Sequence, residues 1–529
     1  MTAPKGRNSV SWFLMGLVVL YAMVAASYFT ARYAGRWIDS DTAYLTLGTT
    51  AVLSEGTLVP ARDIYSLGFA YQAISAFIVS VTGLAVPQLQ SLAYPLLAAG
   101  LSVLAFASYR ALIDDVVASA FATLLLFMHP DFIYVIFRGS HEKLTWAATM
   151  LAVLLLAKSF ASPRNLPRLI TYVGLFYLCI YALSASNVFF ASSFIITVAV
   201  SLAAGLALRW LSKHRLISGQ SERIHNRLFQ ITSAAMVLWF VHTFYLYSPA
   251  ARILYDLNVA TDRAAAVTLG RQPVTDPAVF VIQGWVSRAA YLGLALPSYT
   301  ASGLAFLVWA LLGIKLLRGP GRSENSPLLL LWLLYGGFGT QLALSLLLSL
   351  SGGIASNLQL RLFPAVALFG LPLLALGFVR LWRSRSRAWW RRLAAVGLVL
   401  AVLWSSAASL LKATNDPWLS NYWQFWTAAE TMGISWSESH VRFGRVWLDL
   451  QGIRVSAHAA SQGFGTGTAH ERDTWTIDVE TRDILLSRLE EALGLRLRVP
   501  VPDVRGELCV YDNGTVSHYH LRPRTPYQR

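Results

Sequence analysis

Charge is scarce in this sequence, and its distribution is uneven. Only 13% of the 529 residues are charged, and stretches such as 169–208 and 362–379 pass without an Asp, Glu, Lys or Arg. With 55% hydrophobic residues and a mean hydropathy of +0.51, the chain is too apolar for an ordinary soluble domain. Cysteine is nearly absent. Cys179 lies within an apolar run and Cys509 near the C-terminus, which excludes a disulfide framework and a thiolate metal site. Acidic residues are fewer than basic ones, 27 against 43, for a net charge of +16. Such an excess can signal nucleic acid, but here the Lys and Arg cluster in short segments between apolar runs, as in loops retained in the cytoplasm. The excess charge therefore encodes topology, and nucleic acid is not an expected partner. Internal repeats and low-complexity segments are also missing, and the apolar runs hold almost no ionisable residue. Both absences count against an ion-coupled transporter, which keeps charges and broken helices near the midplane.

What is present is a series of long apolar runs. They lie near 12–34, 66–84, 88–109, 116–129, 143–158, 169–184, 188–208, 228–247, 297–317, 327–349, 362–380 and 393–411, with a weaker one at 279–294. The first follows Lys5 and Arg7 and is too long for a signal-peptide core, so it is expected to remain as a span. Basic clusters at Lys158–Arg168, Arg209–Arg227, Lys315–Arg322 and Arg383–Arg392 mark inside loops. With the N-terminus cytoplasmic, parity places 35–65, 130–142, 248–296, 350–361 and everything after about 412 outside. Only one of 66–84 and 88–109 can then cross. The expectation is that 88–109 spans, while 66–84 and 279–294, which contains Arg288, lie at the membrane surface. The fold class is thus a polytopic α-helical protein of the cytoplasmic (inner) membrane with about eleven transmembrane helices, residues 1–411, and a first outer loop at 35–87. Residues 412–529 are expected to form a small extracytoplasmic α+β domain. Its signals are strand-like pieces at 441–451 and 495–501, an amphipathic helix in "DVETRDILLSRLEEALG", and a hairpin on Asn513-Gly514.

The polar chemistry gathers in the outside loops. "WIDSDTAY" carries Asp39 and Asp41 directly after the first span. "HPDFIYVIFRGSHEK" carries His129, Asp131, Arg138, His141, Glu142 and Lys143, and Arg361 stands in "LQLRLFP" at the mouth of a span otherwise free of charge. Taken singly, each has an ordinary explanation: a solvated acidic loop, capping residues, an Arg snorkelling to headgroups. Together, carboxylates and cations on one face are what a reaction on a lipid-linked phosphate requires. Carboxylates bind a divalent cation or accept a proton from a hydroxyl, and guanidinium holds phosphate.

The order of these features resembles the GT-C glycosyltransferases, multi-span enzymes that move a sugar from a polyprenyl-phosphate donor to an acceptor at the extracytoplasmic face. Protein O-mannosyltransferases, lipid A aminoarabinose transferases and cell-wall arabinofuranosyltransferases are among them. The first-loop pattern of that superfamily is similar to Asp39, Asp41 and Tyr44, a short helix through Leu53, then Gly56 and Pro60. Its next outer loop resembles Pro130, Arg138 and Glu142, and its late Arg resembles Arg361. The sequence departs from the pattern in having Glu at 142 rather than Asp and no Tyr after Arg361. The resemblance implies a GT-C-like membrane fold and a glycosyltransferase in which Asp41 is the general base, with Asp39 as helper or rival. It further implies that Arg361, Arg138, His141 and Lys143 compensate the donor phosphate, and that Asp41 and Glu142 are positions for a divalent cation, Mg²⁺ or Mn²⁺. The partners it implies are a polyprenyl-phosphate sugar and a glycan, lipid or protein acceptor. Direct attack of an activated hydroxyl would invert the anomeric centre. Two other classes compete: a transporter or flippase of lipid-linked saccharides, and a non-catalytic partner in envelope polysaccharide assembly. Near the start of the tail, "NDPWLSNYWQFW" suggests either sugar stacking or an interfacial aromatic belt.

Overall fold

The computed structural model describes residues 5–33, 40–58, 69–161, 166–213, 222–243, 262, 265, 269, 288–318, 326–350, 355–383, 388–413, 428–441, 446–448, 482–488 and 503–522. Within these, only the backbone is described for some residues, among them Asp41, Tyr44 and Arg361. The helices in chain order are α1 (Lys5–Tyr33), α2 (Ser40–Glu55), α3 (Ala70–Thr82), α4 (Val86–Ile113), α5 (Val116–Phe127), α6 (Pro130–Phe137) and α7 (Glu142–Ala161). They continue as α8 (Leu166–Ser186), α9 (Val188–Lys213), α10 (Glu222–Val241), α11 (Arg288–Arg318), α12 (Ser326–Leu350), α13 (Ala355–Arg383), α14 (Ala388–Ala413) and α15 (Ala428–His440).

Eight of the described helices are long and apolar enough to cross a membrane, or nine if the bent pair α5 and α6 is one span. Two further expected spans are shorter apolar helices, Leu228–Val241 and Val396–Leu411. The protein is a multi-pass membrane protein. The surface segment expected at 279–294 lies mostly outside the described residues, and α11 starts at Arg288 within it.

Burial ranks the helices. On α13 nearly every residue from Leu362 to Ala375 is buried, whereas α1 presents Trp12, Phe13 and Leu20 outward, as a lipid-facing helix does. Small residues let the helices approach, because lipid gives no hydrophobic drive to their association. At Gly337 on α12, a Cβ would lie 2.8 Å from the backbone oxygen of Thr197 on α9. Beside it Gln341 donates to Ser193 O at 2.9 Å and to Thr197 Oγ1 at 2.6 Å.

One ion pair orients the bundle. Asp115 caps α5 by accepting from Ala118 N at 3.0 Å and pairs with Arg383 at the end of α13. Burial alone would raise its carboxyl pKa, but the backbone N–H bond and Arg383 outweigh it and lower the value. The start of α5 and the end of α13 therefore share one end of the molecule. Arg361 stands 22 residues before Arg383 on α13, about 33 Å along the axis, at the opposite end.

Two segments take a form that their sequence does not show. Within 130–142, the segment placed outside by parity, Pro130–Phe137 is a helix bent 71° from α5, with Phe132, Ile133, Ile136 and Phe137 almost fully buried. Pro130 at its first turn starts it without loss of a hydrogen bond, and its apolar residues pack against α7 and α14. In the tail, the segment expected as a helix holds a strand. The sheet has the order β1 (Val446–Leu448), β2 (Asp483–Ser487), β4 (Val516–His520), β3 (Leu508–Asp512). β2 pairs parallel with β1 and antiparallel with β4. Ile484, Leu485 and Leu486 are all buried there, and a short continuous apolar run does not distinguish a buried strand from a helix by periodicity. The Asn513-Gly514 hairpin joins β3 to β4, with Gly514 at φ +82° as such a turn requires. The strand expected at 495–501 and the aromatic stretch 418–426 lie outside the described residues.

α15 is held on this sheet by a buried chain: Ser437 Oγ is 2.8 Å from His518 Nδ1, and His518 Nε2 is 3.2 Å from Asp483 Oδ1. His520 Nδ1 reaches the same oxygen at 2.9 Å. Ser437 and His518 are both fully buried, so the chain acts as a staple. Burial alone would raise the Asp483 pKa, but the two imidazoles outweigh it and hold the carboxyl below its ordinary value. Such a group adds stability that is fully present above the unfolded Asp pKa of about 3.9 and is lost as pH falls through the folded value. Below about pH 4, hydrogen exchange of β2 and β4 amides, corrected for its intrinsic pH dependence, is expected to accelerate. Asp483→Asn is expected to flatten that acid limb; an unchanged limb in the variant would show that another group controls it.

Candidate functional site

The site begins where α2, α3, α4 and the loop between α6 and α7 meet. α3 is inside-out for a soluble protein: it buries Tyr71, Gln72 and Ser75 and exposes Ile74, Phe77 and Val81. Apolar residues facing out and polar ones facing in are expected where the exterior is lipid. After its first α-helical residues, Val86–Gln88, α4 contains a π-helical turn, Leu89–Ala93, of a kind that often marks functional positions and that here carries the fully buried Gln90.

The loop Arg138-Gly139-Ser140-His141 is held from every side. Glu142, at the start of α7, takes the Arg138 guanidinium on one carboxylate oxygen and the Ser140 hydroxyl on the other. The Arg138 side chain is only 5% exposed and that of Glu142 16%, so this is a buried pair rather than a surface one. The Arg138 guanidinium also sits 5.0 Å from the Tyr134 ring centroid. Lys143 turns under the loop, donating to Arg138 O at 2.9 Å and to Ser140 O, with its ammonium 4.8 Å from the Tyr94 ring. Tyr94 Oη is 2.7 Å from Ser75 Oγ on α3. His141 Nε2 is 3.2 Å from Asn187 Nδ2 at the junction of α8 and α9, and Asn187 Oδ1 caps α9 by accepting from Phe190 N at 2.9 Å.

The first turn of α2 docks onto this loop. A Cβ on Gly139 would collide with Thr42 Cγ2 and lie 3.1 Å from Gln90 Cβ, so only glycine permits the crossing. Asp41 immediately precedes Thr42 and is the second residue of α2, near the positive end of the helix dipole, which favours a carboxylate. The acidic first loop and the basic second cluster, about a hundred residues apart in sequence, are thereby brought together.

No family model matches the sequence, and no curated protein matches it. Solved structures do. The archaeal oligosaccharyltransferase AglB from Archaeoglobus fulgidus, in complex with an inhibitory peptide and a dolichol-phosphate, is similar over 99% of this chain and 76% of its own, with a TM-score of 0.55 at 11% identity. The apo form of an Archaeoglobus fulgidus oligosaccharyltransferase is similar over 89% of this chain and 69% of its own, with a TM-score of 0.52 at 10% identity. The chain has a GT-C-like fold. ArnT from Cupriavidus metallidurans bound to undecaprenyl phosphate is also similar, over 95% of this chain and 98% of its own, with a TM-score of 0.49 at 12% identity.

On the GT-C-like frame the expected site residues separate. Arg138, His141, Glu142 and Lys143 form one cluster, next to the turn of α2 that holds Asp41. Asp39 lies outside the described residues, as do the side chains of Asp41 and Arg361. Arg361 sits on α13 at the end away from Arg383, and so at the end of the bundle that carries Glu142. Lys143, expected to face a phosphate, instead holds the carbonyls of its own loop. Glu142, expected as a metal position, has both oxygens engaged by Arg138 and Ser140, and no group of three His, Cys, Asp or Glu side chains among the described residues could hold a cation. Sequence reasoning missed Thr42, Tyr71, Gln90, Tyr94, Gly139, Ser140 and Asn187. Gln90 is the nearest to legible, an amide inside an apolar run long enough to span; the others carry no periodic or charge signal.

Proposed function

We propose that the chain is an integral-membrane glycosyltransferase that moves a sugar from a polyprenyl-phosphate donor to a hydroxyl acceptor at the extracytoplasmic face, with inversion. The observation that carries this is the docking of the Asp41 turn onto the Arg138–Glu142 loop, which is held by a buried ion pair between those two residues, within a GT-C-like fold. Asp41 takes the proton of the acceptor hydroxyl; the acceptor oxygen attacks the anomeric carbon; the bond from that carbon to the phosphate oxygen breaks, and the lipid phosphate leaves with the electron pair. Arg361 and Arg138 offset the charge that grows on the phosphate, His141 adds to them from the loop that carries Arg138, and Glu142 and Lys143 hold that loop rigid so that its charge needs no reorganisation. Of the two positions expected for a divalent cation, Asp41 and Glu142, the second has both carboxylate oxygens engaged by Arg138 and Ser140 and does not fit the role in this arrangement. The N-terminus is then cytoplasmic and the C-terminal sheet extracytoplasmic, in the cytoplasmic membrane.

The test uses the purified chain in nanodiscs with synthetic undecaprenyl-phosphate sugars carrying arabinofuranose, mannose or aminoarabinose, and glycan, lipid and peptide acceptors. Consumption of one donor, release of undecaprenyl phosphate and a product of inverted anomeric configuration are expected. Intact donors in every combination, together with movement of donor across vesicle bilayers, would replace the transferase reading by a flippase.

A further inference from the structure

A hydrogen-bond chain crosses the site between residues that no charge or motif singles out. Thr46 Oγ1, on α2 one turn after Thr42, donates to Gln90 Oε1 at 2.5 Å and also lies 2.9 Å from Thr42 O. Gln90 Nε2 donates to Tyr71 Oη at 2.9 Å, and Tyr71 Oη donates to the carbonyl oxygen of Gly139. Each of the three links uses a separate hydrogen, the direction is uniform, and Thr46, Gln90 and Tyr71 are all fully buried. Tyr71 is further fixed edge-on against Tyr94, 5.7 Å between ring centroids, and Tyr94 in turn stands over Lys143. The π-helical turn of α4 is what places Gln90 between α2 and α3. Four separate segments, α2, α3, α4 and the Arg138–Glu142 loop, are thus set in register by one polar chain.

We propose that Thr46, Gln90 and Tyr71 are positioning residues for sugar transfer, fixing the Asp41 turn of α2 relative to the Arg138-Gly139-Ser140 loop. This rests on the transferase reading above. The physical reason is that the acceptor hydroxyl must sit between a base on α2 and a phosphate held at the loop. A shift of about 1 Å between the two costs on the order of 100-fold in rate while leaving each half intact. A buried polar chain provides such a constraint because each bond is directional and a missing partner is costly.

Two variants break the chain with little change of shape, Tyr71→Phe and Thr46→Val; Thr46→Ser keeps the hydroxyl. On folded, monodisperse enzyme with the undecaprenyl-phosphate sugar that the parent consumes, Tyr71→Phe and Thr46→Val are expected to lower kcat about 10–100-fold with donor KM within about twofold, and Thr46→Ser to retain most of kcat. Amide hydrogen exchange across residues 42–46 is expected to accelerate in the first two and not in the third. A merely structural role would lower folded yield and Tm and leave kcat per folded molecule unchanged; that result, or unaltered exchange at 42–46, overturns the proposal. The two readings fail separately. If the parent consumes no donor, the transferase reading fails, and the exchange data still decide whether the chain orders α2. If Asp41→Asn is inactive while Tyr71→Phe and Thr46→Val match the parent, the positioning proposal fails and the transferase reading stands.

Discussion

Asp41→Asn is expected to lower kcat for sugar transfer by 10²–10⁴-fold, on the order of what a general base contributes, while undecaprenyl phosphate still binds. The residue is the second of α2, and its neighbour Thr42 is wedged against Gly139, so the backbone that carries it is fixed by contact with the cationic loop. Asn keeps the size and the helix-start preference of Asp and removes only the capacity to take a proton. The helix dipole at this end favours the carboxylate form by roughly 0.3–1 kcal/mol, and a carboxylate is a weak base. A base of modest basicity works when the leaving group is good, and a lipid phosphate is one. Asp39→Asn, one residue before α2 begins, is the internal comparison and is expected to cost less. Collapse of activity in Asp39→Asn with near-normal Asp41→Asn would move the base to Asp39, and full activity in both would remove the first loop from the chemistry.

Glu142→Ala is expected to cost about 3–5 kcal/mol of folding stability as well as activity, because it leaves the Arg138 guanidinium buried without its counter-charge. With the Arg138 side chain only 5% exposed, water cannot replace the lost partner. Ser140 loses its acceptor in the same step. Replacing both ends by apolar residues of similar volume, Arg138→Met with Glu142→Leu, is expected to recover most of that stability, since the penalty comes from the unpaired charge and not from the absence of the pair. Activity is not expected to return, because the guanidinium is gone from the phosphate side. Chemical denaturation in detergent and the transfer assay read the two effects independently. A double variant no more stable than Glu142→Ala would assign the loss to Ser140, and an unchanged Glu142→Ala would show that the pair contributes nothing to the fold.

Much of this protein follows from its residues in order. Runs of about twenty apolar residues without charge have no stable home in water, so membrane residence and the placement of the helices are legible from composition alone. Asn513-Gly514 specifies a hairpin because its residues tolerate positive φ, and Gly514 has it. Asp39 and Asp41 stand out because acids are rare at the end of a span. Such signals are local, and period, charge and turn chemistry carry them.

Partnership is not local, and there only the tertiary structure decides. Arg138, Glu142 and Lys143 read as three charges available to a ligand, yet packing turns Glu142 onto Arg138 and Lys143 onto the loop carbonyls. "DILLS" reads as part of a helix until β1 and β4 flank it. Gly139 and Tyr71 stand 68 residues apart and Asp115 and Arg383 stand 268 apart, and for the fully buried Tyr71 hydroxyl burial is what makes a partner necessary. A sequence fixes which groups a chain carries and which segments leave water. Which of those groups end up neutralising each other depends on how helices distant in sequence close against one another, because an ionic or hydrogen-bonding partner is chosen by proximity in a low-dielectric interior.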